Sequence, residues 1–329
     1  MNIKKIITGI QSNGIPHLGN IISVILPTIS YIKKKSNYIF FIMIADLHSL
    51  TNYYTPNLLK NNIYINAAVW LAFNIKYNLN NIYFYRQSDI KEITQLFWIL
   101  NCFFPFNRLK MFHRVKNKNY KINNIGIINY PFLMGADILL YDIDKVIIGK
   151  DQNQHIEITR KIARNINNKI NKKIFNIPQS LIFYKELIPG VDGNKMSKSL
   201  NNIINIFSNK ENLEKQIMNI KTINIPITKI SFNNIKNTIL LRIYKILANK
   251  EEYTYIIQKI KNNKIGFYNI KKKLFNYILY KYSNERSKFI YYLSNKKLIK
   301  KILFKGYKKT KLLSIKKMNF IKKEIGLKI

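Results

Sequence analysis

An uninterrupted apolar run near the N-terminus constrains the fold of this chain more than any other feature. Residues 38–45, Tyr-Ile-Phe-Phe-Ile-Met-Ile-Ala, contain no charged side chain. A strand of this kind is covered on both faces, as strands of a parallel sheet are. Shorter strand-like segments lie at residues 6–10, 82–85 and 145–149, and helical patterns separate them. This alternation predicts an α/β fold with a doubly wound parallel sheet, which binds ligands at the carboxyl ends of its strands.

Local signals place several helices between these strands. A helix is expected to begin at residues 17–20, and another is expected over residues 90–104. Proline is tolerated in a first turn, so Tyr130-Pro131 predicts the start of a short helix. Residues 151–154, Asp-Gln-Asn-Gln, are typical of a helix cap, and apolar residues at helical spacing follow them.

The pattern changes after about residue 205. Helical spacing dominates, strand signals fade, and lysines occur in pairs and triplets such as Lys271-Lys272-Lys273. Interleaved Tyr and Phe argue against a disordered tail. A chain of 329 residues is long enough for two cores. We therefore predict a Rossmann-like domain at residues 1–205 and a basic, mainly helical domain at residues 206–329.

The charge of the chain is strongly positive. Its 56 Lys and Arg outnumber 16 Asp and Glu, which gives a formal net charge of +40. Such a balance favours a polyanionic partner, above all nucleic acid. The abundance of Lys, Asn, Ile, Tyr and Phe also fits an AT-rich genome, and both explanations stay open. Residues 108–124 are basic and irregular, which predicts a surface excursion.

Other features indicate the cellular compartment. The single cysteine, Cys102, lies in an apolar and aromatic run, which predicts a buried thiol in a reducing compartment. No uncharged apolar run reaches the roughly 18 residues of a transmembrane helix. The N-terminus leads almost directly into the first predicted strand, without room for a signal peptide. These features predict a cytoplasmic protein that does not associate with membranes.

A lysine- and serine-rich segment follows a turn-prone run at residues 189–192. Residues 193–200 read Gly-Asn-Lys-Met-Ser-Lys-Ser-Leu, and no apolar periodicity fixes them to a core. Two ammonium groups and two hydroxyls on a movable loop suit a polyphosphate whose charge shifts during a reaction. In a chain so rich in lysine, a solvated turn is the alternative.

The junction after the first strand is a second candidate phosphate site. Gly19 allows a ligand to approach the backbone, and the amides of a helix N-terminus favour phosphate. His17 and Asn20 can add side-chain hydrogen bonds. The glycine spacing matches neither the dinucleotide-binding fingerprint nor a P-loop. The alternative to a phosphate site is an ordinary strand-to-helix turn without a ligand.

Asp137 is a carboxylate in an otherwise apolar helical segment. Burying a charged group is costly unless a donor meets it. The donor is either a neighbouring group of the protein or part of a ligand.

Together these segments resemble the class I aminoacyl-tRNA synthetases. His17-Leu18-Gly19-Asn20 resembles the HIGH signature with Asn20 in place of the last histidine, and Lys195-Met196-Ser197-Lys198-Ser199 matches KMSKS in full. Residues 45–51, 130–141 and 149–157 are similar to blocks of the tryptophanyl-tRNA synthetases, in the same order. The resemblance spans essentially the whole chain.

The resemblance implies an ATP site. Lys195 and Lys198 would be the catalytic residues, stabilising charge on the departing pyrophosphate, with Mg²⁺ bound through the ATP phosphates and no metal ligand from the protein. The implied ATP-binding residues are Gln11, Ser12, Asn13, His17, Gly19, Asn20, Gly149, Lys150, Asp151, Ile188, Lys195, Met196, Ser197, Lys198 and Ser199.

The resemblance also implies a tryptophan site in which Asp137 accepts the indole N–H. The thioether of Met134 would favour indole over phenol, because tyrosine-specific relatives usually carry a glutamine there. His48 could instead be structural, and Val146 and Ile148 could be strand core. The implied residues are Asp137, Met134, Tyr130, Gln152, His48, Val146 and Ile148.

The activity implied by the resemblance is a two-step ligation. Tryptophan and ATP would give tryptophanyl-adenylate and pyrophosphate, and the tryptophan would then pass to the 3′-terminal ribose of tRNA(Trp). The basic helical region would read the anticodon, and the enzyme would be a homodimer. Three alternatives stay open, namely a tyrosyl-tRNA synthetase, a non-catalytic RNA-binding relative and another nucleotidyltransferase.

The chain departs from the family pattern at several positions. Lys150 stands where glutamate is common, and His113 lies near the place of a phosphate-binding lysine. Ile21, Ser23 and Val24 replace the residues usual after the Gly-Asn pair, so the packing of the first helix is expected to differ.

Overall fold

Five parallel strands form one sheet: Lys5–Gln11 (β1), Ile39–Ala45 (β2), Ile82–Arg86 (β3), Lys145–Ile147 (β4) and Gln179–Leu181 (β5). Their order across the sheet is β3-β2-β1-β4-β5. The computed structural model describes residues 3–52, 55–105, 107, 124–184, 186–223, 232–262 and 264–328. The strand order reverses beside β1, which creates the crevice where doubly wound sheets bind ligands. The predicted fold class is confirmed.

Alternate residues of β2 pack into different apolar clusters on the two faces of the sheet. Phe40, Ile42 and Ile44 belong to one cluster, and Phe41 and Met43 belong to the other. All five are nearly inaccessible to solvent. The continuous apolar run therefore reflects a strand covered on both sides, as predicted.

Helices cover both faces of the sheet. Those that precede β5 in the chain are Leu18–Asn20 (α1), Leu26–Lys34 (α2), Asp46–Ser49 (α3), Pro56–Ala72 (α4), Lys91–Phe103 (α5), Ile125–Leu139 (α6) and Asn153–Lys169 (α7). The later helices are Lys210–Met218 (α8), Phe232–Lys236 (α9), Ile239–Leu247 (α10), Lys250–Lys261 (α11), Phe267–Lys281 (α12), Ser283–Ser294 (α13) and Lys296–Glu324 (α14). Most of the predicted surface excursion at residues 108–124 lies outside the described residues.

Two local helix predictions are wrong. Helix α6 begins at Ile125, because the Asn124 side chain caps it by accepting from the N–H of Ile127 at 3.1 Å. Pro131 therefore lies inside the helix and not in its first turn. The predicted cap at residues 151–154 is also absent: α7 begins at Asn153 without a side-chain capping hydrogen bond from the residue before it.

Cys102 is exposed, which contradicts the predicted buried thiol. It lies on α5 four residues after Trp98, which is 68% exposed, so both face away from the buried side formed by Leu96 and Leu100. No helix in the described part of the chain is long and apolar enough to span a bilayer.

The C-terminal helices pack against the sheet and one of its flanking helices. Helix α13 packs on α4, and the long helix α14 runs along β3, the edge strand of the sheet. A Cβ at Gly306 would overlap the backbone carbonyl of Phe84, so glycine is what permits this close approach. One apolar cluster contains residues from both halves, such as Ile44 and Leu274. The boundary near residue 205 stays a prediction.

Candidate active site

One cleft of ≈ 890 Å³ collects the predicted site residues. It is lined by the carboxyl-end residues of β1 and β4, the start of α1, helix α6 and the lysine-rich segment. Every residue predicted to bind ATP or tryptophan lines this cleft except Ser12. Ser12 is fully buried, and its N–H donates to Ser49 Oγ at 2.7 Å, so it supports the junction from beneath.

The lysine-rich segment follows a tight hairpin. The N–H of Gly190 donates to the carbonyl of Asn194 at 2.7 Å, and Gly193 takes the left-handed φ of +90° that the turn needs. Met196 is 3% exposed and belongs to the main apolar cluster. The segment therefore has one apolar anchor, which the sequence does not indicate because a single buried side chain gives no periodic pattern.

Asn202 ties the segment together, and the sequence analysis missed it. Its Oδ1 accepts from the N–H of Ser197 at 2.8 Å, and its Nδ2 donates to Asp192 Oδ1 at 2.7 Å and the Lys195 carbonyl at 3.0 Å. The side chain is almost fully buried beside Gly190, where a Cβ would lie 2.5 Å from it. Asn202 thus fixes the backbone on both sides of Lys195.

The two lysines of the segment have different partners. Lys195 Nζ lies 2.8 Å from Asp151 Oδ2, and Lys198 Nζ donates to the carbonyl and the Oδ1 of Asn13 at 2.9 and 3.0 Å. Burial lowers the pKa of Lys198 to about 8. Burial alone would raise the pKa of Asp151, but Lys195 holds it below its ordinary value. Both ammonium groups therefore face the cleft from one side.

The first strand-to-helix junction faces these lysines. The backbone N–H of His17 donates to Asn20 Oδ1 at 3.2 Å, and a Cβ at Gly19 would lie 2.9 Å from the His17 ring. Burial, reinforced by the charges of Lys198 and Lys195, lowers the pKa of His17 to about 4. His17 is therefore neutral at pH 7, as suits a hydrogen-bonding group beside two cations.

The residues after this junction form a π-helical turn, Ile21–Ile25, before α2 begins. Ile21 is fully buried, and Ser23 lines the cleft and donates to the Gly19 carbonyl at 2.6 Å. Turns of this kind are frequent at functional sites.

Asp137 is buried in the opposite end of the cleft and already has protein partners. His48 Nε2 lies 3.0 Å from Asp137 Oδ2, and Gln87 Nε2 lies 3.0 and 2.9 Å from Oδ1 and Oδ2. Burial raises the pKa of Asp137, and the contacts with His48 and Gln87 oppose that rise. The sequence left open whether the donor to Asp137 is a protein group or a ligand. The structure shows that protein groups, His48 and Gln87, already contact the carboxylate.

Tyr130 and Gln152 form the polar wall between the two ends. Gln11 Nε2 donates to the Tyr130 hydroxyl at 3.0 Å, and the Tyr130 ring lies 4.3 Å from the His48 ring centre. Gln152 Nε2 donates to Asp151 Oδ2 at 3.0 Å. Asp151 thus joins Lys195 and Gln152 instead of capping a helix. The buried Oε1 of Gln152 has no hydrogen-bond partner within the described part of the chain.

An apolar slot leads to Asp137. Met134, Val146 and Ile148 line it together with Met43 of β2. Val146 and Ile148 are 2% and 6% exposed, so both also belong to the core. A slot with apolar walls and a carboxylate at its end suits a flat ring that carries one N–H donor.

Sequence reasoning missed Gln87, although a signal was present. It directly follows β3, and the carboxyl ends of parallel strands are where such folds place their ligands. Lys150, the departure from the family pattern, is exposed on the rim of the cleft. His113 lies outside the described residues.

The doubly wound sheet, the His-Leu-Gly-Asn junction and the lysine segment facing it are the arrangement of a class I aminoacyl-tRNA synthetase. The family model for tRNA synthetases class I (W and Y) matches residues 3–280. The chain belongs to this family.

The relatives at high coverage are tryptophan–tRNA ligases. One from Fusobacterium nucleatum is 35% identical over 330 residues, covering 99% of this chain and 98% of that protein. One from Rickettsia conorii is 33% identical over 338 residues and covers 99% of both. A crystal structure of tryptophanyl-tRNA synthetase from Campylobacter jejuni, complexed with ADP and tryptophan, has a TM-score of 0.86 and 31% identity, covering 98% of this chain and 100% of that one.

Proposed function

We propose that the protein is a tryptophan–tRNA ligase. It joins the carboxylate of L-tryptophan to the α-phosphorus of ATP, which gives tryptophanyl-adenylate and releases pyrophosphate. It then passes the tryptophan from the adenylate to the 3′-terminal ribose of tRNA(Trp) and releases AMP. The observation that carries this proposal is a single cleft with the carboxylate of Asp137 behind an apolar slot at one end and Lys195 and Lys198 at the other. The tryptophan–tRNA ligases among the relatives support the same assignment.

In the first step, the protein holds the tryptophan carboxylate in line with the α-phosphorus of ATP. The indole enters the slot beside Met134 and donates its N–H to Asp137. The unpartnered Oε1 of Gln152 accepts from the substrate ammonium group. No covalent intermediate with the protein is needed, so catalysis consists of positioning and charge stabilisation.

The nucleotide lies between the first junction and the lysine segment. Its phosphates approach Gly19 and the neutral ring of His17, and its ribose lies against Gly149 and Asp151. Lys195 and Lys198 leave Asp151 and Asn13 for the phosphates as negative charge grows on pyrophosphate. Their resting contacts hold the ammonium groups at the mouth of the cleft, ready for that exchange.

Mg²⁺ would be held chiefly by the triphosphate, where it neutralises phosphate charge. This cation prefers phosphate and water oxygens to a cage of protein ligands.

The second step requires tRNA, and we place its anticodon on the basic helical region after residue 205. Lysines alternate there with aromatic rings, as in the pairs of Lys272 with Tyr268 and Lys273 with Tyr255. Such surfaces suit a phosphate backbone and unstacked bases. The working unit in this proposal is a homodimer in the cytoplasm.

Tyrosine is the competing substrate within the family. A phenol needs a hydrogen-bonding partner for its hydroxyl, whereas the thioether of Met134 provides only a soft apolar wall. Asp137 can accept a hydrogen bond from a phenol O–H as well as from an indole N–H, so Met134 is the group that distinguishes the two rings. The slot therefore favours indole.

Amino-acid-dependent exchange of ATP with pyrophosphate, measured across all twenty amino acids, tests the proposal. We expect tryptophan alone to drive exchange. Tyrosine-driven exchange would assign the enzyme to the other branch of the family. Tight tRNA binding without exchange would favour a non-catalytic RNA-binding relative, and exchange without charging of tRNA would indicate another nucleotidyltransferase.

A further inference from the structure

The side chain of Gln87 connects Asp137 to a second element of the site. Gln87 is fully buried in the turn after β3. Its Nε2 lies 3.0 and 2.9 Å from the two oxygens of Asp137, and its Oε1 accepts from the backbone N–H groups of Leu47 and His48 at 3.0 and 3.3 Å. The amide of Gln87 thus bridges Asp137 and the backbone of α3.

The orientation of this amide is dictated by its neighbours. If its oxygen and nitrogen were exchanged, the carbonyl would face a carboxylate and the NH₂ group would face two backbone N–H groups. Both contacts would be repulsive and would leave buried polar groups unpaired. The donor of Gln87 therefore always points at Asp137.

The turn that carries Gln87 is itself fixed. The N–H of the next residue, Ser88, donates to Asp46 Oδ1 at 2.9 Å, and the Ser88 hydroxyl donates to Asp46 Oδ2 at 2.5 Å. Asp46 is the first residue of α3, the same helix whose N–H groups hold Gln87 Oε1. The amide is thus held through both its own oxygen and its backbone.

Gln87, His48 and Asp137 close a ring of hydrogen bonds. Within this ring Asp137 Oδ2 contacts both His48 and Gln87, whereas Oδ1 contacts Gln87 alone. A carboxylate oxygen accepts two hydrogen bonds, so Oδ1 retains one acceptor position. Asp137 lines the cleft, where that position is available to a ligand.

We propose that Gln87 is a positioning residue for tryptophan selection, because it orients the Asp137 carboxylate so that Oδ1 faces the indole N–H. The inference rests on the proposed function. The terminal torsion of an aspartate is soft, so a carboxylate held only by His48 can rotate away from the ring. A directional hydrogen bond loses its strength when the acceptor turns.

Two substitutions separate orientation from support of the fold. Gln87→Glu keeps the length of the side chain and an acceptor for the N–H groups of Leu47 and His48, but replaces the donor to Asp137 by oxygen. Gln87→Met keeps the length and removes both functions. Gln95→Glu is the matched control, since Gln95 is an exposed residue of α5.

The readout is the ratio of kcat/KM for L-tryptophan to kcat/KM for an analogue with sulfur in place of the ring N–H, measured by ATP–pyrophosphate exchange. We expect both Gln87 variants to lower this preference by about 10- to 100-fold, the effect of losing a hydrogen bond to a charged group. KM for ATP should change little, and Gln95→Glu should behave as the wild type.

Folded variants that keep the wild-type preference would overturn the proposal. Loss of folding in both variants, detected by urea unfolding, would also overturn the proposal. Gln87 would then be a residue that the fold requires and not one that positions Asp137 for tryptophan. Wild-type protein is assayed first. Absence of tryptophan-dependent exchange there would reject the proposed function and not this inference.

Discussion

At the residue scale, the site works through side chains whose protonation is set by burial. Lys198 is surrounded by protein on the cleft wall, which lowers its pKa to about 8. His17 is neutral for the same reason, with the two lysine charges adding to the effect. Because the pKa of Lys198 is about 8, its loss of a proton should change the reaction rate within an accessible pH range.

The pH dependence of Lys198 is the first prediction. Lys198 is charged below its pKa and loses its proton as the pH rises through about 8, so kcat/KM for ATP should fall on the alkaline side of that value. Lys198→Arg should remove this limb because guanidinium stays charged. The exposed, distant substitution Lys316→Arg is the control. An alkaline limb that persists in Lys198→Arg would assign the titration to another group.

Lys198→Ala separates catalysis from binding. We expect adenylate formation to slow by roughly 100-fold or more, the size of a lost electrostatic contact in a transition state, while KM for tryptophan stays nearly unchanged. Pre-steady-state measurement of adenylate formation checks this. A large loss of tryptophan affinity at normal turnover would contradict the assigned role.

Asp137→Ala should have the opposite pattern. It removes the acceptor for the indole and leaves the donors of His48 and Gln87 unpaired, so tryptophan binding should weaken by about 100-fold. ATP binding should be much less affected, because the nucleotide contacts lie at the other end of the cleft. Titration calorimetry with each ligand measures both. Equal losses would show that Asp137 is only structural.

At the element scale, the sequence correctly predicted those segments that a contiguous run of residues defines. The continuous apolar run identified β2, and the contiguous Lys195–Ser199 motif identified a segment that lines the cleft. Gln87 and Asn202 were not predicted, because their contacts form only when the chain folds. Gln87 contacts Leu47 and Asp137, which are 40 and 50 residues away in the sequence. Asn202 acts on a turn that only the folded backbone defines.

The start of α6 shows the limit of local rules. Pro131 favoured a helix start, yet Asn124 caps the helix seven residues earlier, and the apolar packing of the helix outweighed one missing hydrogen bond. The same applies to Cys102, whose apolar neighbours in sequence lie on the other side of α5.

The contact of α14 with β3 gives an element-scale prediction. Alanine in place of glycine should stabilise an isolated helix by about 1 kcal/mol. Gly306→Ala should instead lower the free energy of unfolding by about 1–3 kcal/mol, because its Cβ would overlap the Phe84 carbonyl. Urea unfolding decides the sign. Gly266→Ala is the control, since a Cβ there meets no neighbour within 4 Å. A Gly306→Ala protein that is more stable than the wild type would show that α14 does not lie in close contact with the backbone of Phe84.

At the scale of the whole molecule, the net charge of +40 fits the proposed tRNA partner, although genome composition also contributes lysines. Contacts with phosphate release counterions, so their affinity falls steeply with salt. We expect KM for tRNA to rise by at least about 10-fold between about 50 and 200 mM salt, with tryptophan-dependent exchange much less affected. Equal salt sensitivity of the two assays would indicate that the excess charge does not serve tRNA binding.

The most direct test of the central claim is a crystal structure of the protein with L-tryptophan bound. We expect the indole nitrogen within about 3.2 Å of Asp137 Oδ1, with the ring beside Met134 and Oδ2 still in contact with His48 and Gln87. A ring bound outside this slot, or an indole nitrogen that faces away from Asp137, would contradict it.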